Sequence, residues 1–131
     1  MTSRPILLAT ASLFGLAGLA LLFAPHEMLR LLGRSGAPDG LSVFPQLLGA
    51  AWVGLAYGNW TARGLAVGGI HGRAIVIGNL MQSTIGALVL ARGAIDGGPV
   101  VLWLLAAIFA ATAVAFGWLM RHPPGGPLPG T

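Results

Sequence analysis

Four uncharged windows, at residues 5–26, 40–62, 74–91 and 97–120, take up most of this 131-residue chain. Every charged side chain lies between or beyond them: Arg4, Glu27, Arg30, Arg34, Asp39, Arg63, Arg73, Arg92, Asp96 and Arg121. A helix needs roughly 17–25 apolar residues to cross the hydrocarbon of a bilayer. Each window reaches that length, so crossings are expected over about 5–24, 42–62, 74–91 and 99–120. The expected fold is all-α, a four-helix transmembrane bundle running up-down-up-down. It forms one domain over residues 1–121, with residues 122–131 a disordered Pro/Gly-rich tail that has no core-forming pattern.

Composition supports hydrocarbon as the solvent. Hydrophobic residues make up 56% of the chain and charged residues 8%, against about 25% charged in soluble domains. A net charge of +4 would point to nucleic acid in a soluble protein. Here the arginines flank apolar spans, where they anchor helices at headgroup level. The lipid bilayer is therefore the expected partner and nucleic acid is not. The absence of cysteine excludes disulfides and thiolate metal sites. The first window also has the positive start of a signal peptide, in Arg4. Its apolar stretch, residues 6–24, exceeds the usual signal core of about 7–15 residues, and Leu22 is a poor cleavage-site residue. An uncleaved span is the expectation.

Local signals refine the picture. Pro5 suits a first helical turn, and Gly15 and Gly18 offer a flat face to a neighbour. After Pro25, residues 26–34 alternate charges with Met28, Leu29, Leu31 and Leu32 at helical spacing. That pattern predicts a short interfacial helix after the first span, in which Glu27 and Arg30 can pair for about 0.3 kcal/mol. The second span carries Ala50, Gly54 and Gly58 four residues apart, a stripe that lets helix backbones approach. Residues 63–73 read as a short loop and 92–98 as a tight turn, with Pro99 opening the last helix.

With four crossings both termini share one side, with Arg4, Arg63, Arg73 and Arg121. Arg30, Arg34 and Arg92 share the other with all three carboxylates. The positive-inside rule then places both termini in the cytoplasm.

Polar residues inside the spans are the candidates for function. Asn79, Gln82 and Ser83 share a face of the third span. Carboxamides in hydrocarbon must be hydrogen-bonded, so this face should point into the bundle. It reads either as helix-helix glue or as a polar pocket lined also by Asn59, Tyr57, Gln46 or Thr112. His26, His71 and His122 all lie at span ends or in loops, so neither a buried haem pair nor a three-ligand zinc site is expected. Trp60, Trp103 and Trp118 suit the interfacial belt, whereas Trp52 lies deeper, where it would pack. The glycines at 64, 68 and 72 follow no strand and do not read as a phosphate loop.

The text QLLGAAWVGLAYGNWTARG at residues 46–64, followed by GRAIVIGNL at 72–80, resembles small bacterial four-helix membrane proteins that are broadly DoxX-like in layout. That resemblance implies architecture and a bacterial inner-membrane location; founding members of the type associate with membrane oxidoreductase complexes. It carries over no catalytic residue. The expected function is a small non-catalytic integral membrane protein, an accessory or structural subunit of a larger assembly or a homo-oligomer, with Ala50, Gly54 and Gly58 as the packing interface. No enzyme activity, cofactor or metal is expected. The alternative is a binding or transport module for a lipid or quinone at the Asn79, Gln82, Ser83 and Asn59 face.

Overall fold

The computed structural model describes residues 3–36, 38–64 and 70–122, and among these all regular structure is helical. Helix α1 spans Arg4–Phe23 and α2 spans Pro25–Leu31. A 3₁₀ turn, Asp39–Ser42, leads into α3 (Val43–Ala62), followed by α4 (Ile70–Ile95) and α5 (Val101–Arg121). Four stretches, Arg4–Phe23, Gly40–Ala62, Gly72–Ile95 and Val101–Arg121, are long and apolar enough to cross a membrane. The tail read as disordered lies outside the described residues beyond His122, as does the middle of the 63–73 connection.

Helix ends follow local chemistry. Pro5 and Pro25 stand in the first turns of α1 and α2, where a missing N–H goes unneeded. Helix α2 ends on Gly33 at φ 79°, with the Gly33 and Arg34 N–H groups reaching back to the Arg30 and Leu29 carbonyls at 3.0 and 2.8 Å. Helix α4 ends the same way on Gly97 at φ 91°. There the Gly97 and Gly98 N–H groups bond the Ala94 and Gly93 carbonyls at 3.3 and 3.0 Å. Both are left-handed glycine terminations that satisfy last-turn carbonyls.

Two expectations are corrected. Residues 70–73 and 92–95, read as loop and turn, belong to α4, a helix of 26 residues. Charged side chains limit what hydrocarbon can hold, but they do not stop a helix, because a long arginine stem lets its head reach water. The expected Glu27–Arg30 pair does not form. Among the described residues the ion pair is Arg92–Asp96, at 3.6 Å and well exposed. Tenths of a kcal/mol do not hold an exposed side chain in one place.

The helices pack as two close pairs, α1 with α3 and α4 with α5, with slighter contact between pairs. Glycines set the spacing within the first pair. A Cβ on Gly18 would stand 2.8 Å from the Gly49 carbonyl oxygen, and one on Gly49 would stand 2.6 Å from that of Gly18. In the second pair a Cβ on Gly86 would run into the Phe109 ring. Long side chains fill the seam between pairs. Leu7, Ala62, Val76, Phe116 and Leu119 form one buried cluster. Phe14, Ala56 and Phe109, with Trp52 against them, form a second. The three rings of that second cluster meet edge-on or tilted, at centroid distances of 5.5–5.9 Å. Trp52 is thus a packing residue.

Candidate functional site

Each long helix places a buried polar residue between its contributions to the two apolar clusters. Thr10 lies between Leu7 and Phe14, Asn59 between Ala56 and Ala62, and Thr112 between Phe109 and Phe116. On α4, Asn79 and Ser83 lie between Val76 and Ala87. Steps of three and four residues keep all of them on the inward stripe of their helices. The result is a polar level enclosed above and below by apolar packing.

Asn59 and Asn79 are its centre, 0% and 1% exposed. Asn59 Nδ2 donates to Asn79 Oδ1 at 2.9 Å, and Asn79 Nδ2 returns a bond to Asn59 Oδ1 at 2.6 Å. The second donor of Asn59 goes to Thr10 Oγ1 at 3.1 Å, and that of Asn79 to the Ile75 carbonyl at 2.9 Å. Thr10 passes its own proton to the Ile6 carbonyl at 2.8 Å. Every carboxamide N–H is therefore satisfied, as burial in an apolar surround demands. Each Oδ1 keeps one further lone pair. This network joins α1, α3 and α4.

The other polar candidates disperse. Ser83 is fully buried, yet its Oγ has no hydrogen-bond partner among the described residues. Thr112 bonds the Ile108 carbonyl of its own helix at 2.9 Å. Gln82 is half-buried and joins neither Asn59 nor Asn79. Tyr57 points outward at 71% exposure, and Gln46 reaches only the Leu22 carbonyl, at 3.4 Å. Thr10 was absent from the sequence expectation. Its signal was there: a hydroxyl three and four residues from Leu7 and Phe14, in a helix otherwise read for its glycines.

A groove opens beside the carboxamides. It measures about 400 Å³ and runs between α3 and α4, with Gly54 and Gly58 on one wall, Ala74 and Gly78 on the other, and Asn59 and Asn79 at its floor. Gly54, Gly58, Ala74 and Gly78 carry no side chain beyond a methyl group and keep the lining low, while Leu55 and Ile75 also border it. A Cβ added at Gly54, Gly58 or Gly78 would meet nothing within 4 Å. Ala50 is exposed. Among the described residues, a Cβ on Gly54 or Gly58 meets no neighbouring helix, and Gly18 and Gly49 make the close contact instead.

The two described histidine side chains are exposed, with His122 stacked on Trp118 at 5.0 Å. Among the described residues no three His, Asp or Glu side chains come together. Comparison with protein-family models, curated proteins and solved structures returned no match.

Proposed function

We propose that this chain is a non-catalytic, four-span membrane protein that serves as an accessory or structural subunit, receiving a helix of a partner or of a second copy in its α3–α4 groove. The observation that carries this reading is the groove itself. Gly54 and Gly58 on one wall and Gly78 on the other have room for a Cβ that meets nothing within 4 Å, and small residues are what close helix association in lipid requires. The carboxamide network at the floor is internally satisfied and acts as glue between α1, α3 and α4.

The meeting of Leu7, Ala62, Val76 and Leu119 in one cluster supports up-down-up-down order. The charged α2, directly after the first span, fits a helix lying in the interface. A DoxX-like layout, a bacterial inner-membrane location and cytoplasmic termini complete the proposal.

One observation favours a second reading. The groove volume falls within the range of small-molecule sites, roughly 300–1,000 Å³, and the buried Asn59 and Asn79 border it. An amphipathic molecule, such as a quinol or lipid, would set its polar head at that end.

Gly58→Leu separates assembly from folding, since the added side chain enters open space. The isolated variant should keep its helix content and thermal stability but lose the partner or oligomer recovered in mild detergent. An unchanged complex on a native gel overturns the subunit reading. Loss of a co-purifying small molecule, with no protein partner in the unmodified sample, supports the second reading.

A further inference from the structure

One end of the bundle carries four arginines and no carboxylate. Arg4, Arg63, Arg73 and Arg121 each lie within a turn of Leu7, Ala62, Val76 or Leu119, which pack together. Glu27, Asp39 and Asp96 are instead interspersed with Arg30, Arg34 and Arg92, three against three. All of the net charge of +4 therefore belongs to the first end.

Within that end, Arg4, Thr61, Arg63 and Gly64 line a recess of about 370 Å³. Arg63 is held in place. Its guanidinium carbon stands 3.9 Å from the Trp60 ring centroid, and Nη1 donates to the Trp60 carbonyl at 2.5 Å. Four of its five N–H donors remain. Arg4 is exposed and makes no ion pair among the described residues. The Thr61 hydroxyl already donates to the Gly58 carbonyl at 2.9 Å, so among the described residues the two guanidiniums are the side-chain donors left to the recess. One held guanidinium and one exposed one, both with forked donors and neither in an ion pair among the described residues, match a phosphate, whose oxygens take paired N–H bonds.

The surroundings select the source of that phosphate. Trp60 is half-exposed beside Arg63, and Trp and Arg gather together at headgroup depth. One turn inward from Thr61, Tyr57 is 71% exposed and extends an amphipathic track along the outside of α3. We propose that the Arg4/Arg63 recess is a headgroup site for the phosphodiester of an anionic phospholipid, whose chains run down the outer face of α3. A zwitterionic lipid offers the same phosphodiester but brings a cation that the arginine-rich end repels.

Native mass spectrometry of the full chain in a nonionic detergent tests this, with phosphatidylglycerol, phosphatidylcholine or inorganic phosphate added. Phosphatidylglycerol should be retained about tenfold or more over phosphatidylcholine, the scale expected of two headgroup-level arginines. R4Q/R63Q should abolish that preference. R30Q/R34Q removes the same charge elsewhere and should leave it within about twofold. Equal retention of both lipids by the unmodified chain overturns the proposal without recourse to any variant. So does equal loss in the two double variants. Displacement of the lipid by millimolar inorganic phosphate would assign the recess to the free ion and overturn the lipid assignment.

Discussion

Asn59 and Asn79 illustrate how a buried polar pair gains its weight. An interhelical hydrogen bond in a membrane is worth about 0.6 kcal/mol, so the reciprocal pair contributes little by itself. An orphaned partner is worse: an unsatisfied buried polar group costs about 1–3 kcal/mol. N59L alone should therefore destabilise the bundle by about 1–3 kcal/mol, because it strands one donor of Asn79 and its Oδ1. N59L/N79L should recover most of that loss. Denaturant unfolding of both single variants and the double variant measures the coupling. Additive losses would show that the two carboxamides do not depend on one another. Gln82 sits outside this network. It lies three residues from Asn79 and one from Ser83, at the edge of the inward stripe, where it is half-buried and bonds neither Asn59 nor Asn79.

Among the helices, identical residue types do opposite things. Gly18 and Gly49 let the backbones of α1 and α3 touch, whereas Gly54 and Gly58 border open space. G49A should destabilise the bundle by about 1–3 kcal/mol, since its methyl group would press on a backbone carbonyl that cannot swing aside. G54A should leave stability unchanged. Unfolding both in detergent decides the matter; equal tolerance would mean that α1 and α3 are not held at glycine distance. The length of α4 makes a related point. Residues flanking a charge-free window still form helix when their backbone N–H and C=O groups can bond in the ladder, and the turn waits for Gly97.

At the level of the entire bundle, two tight helix pairs meet across a seam of aromatic and carboxamide side chains. The arginine-rich end bears on orientation. Four arginines against three favour that end, and both termini with it, in the cytoplasm. A carboxyl-terminal reporter that is active only in the cytoplasm should light up, and one active only outside should stay dark. Activity of the outside reporter alone would invert the assignment. R4Q evens the count at three each, so both reporters should then register.

The four apolar stretches and the helix content were legible in the residues, because they depend on runs of like solvation; the terminations on Gly33 and Gly97 were not read, although they too depend only on the local freedom of φ. Polar residues at helical spacing also marked Asn79 and Ser83 as inward-facing. Which partner each would find was not legible. Asn59 and Asn79 are 20 positions apart and Thr10 and Asn59 are 49 apart, and such pairings exist only once helix rotations and spacings are set by packing. The same holds for the small-residue stripes. Glycine four residues from glycine permits close approach, but only the three-dimensional arrangement of neighbours assigned the contact to Gly18 and Gly49 and left Gly54 and Gly58 bare. Solvation and backbone freedom are properties of a segment; complementarity is a property of two surfaces, and it comes into being when they meet.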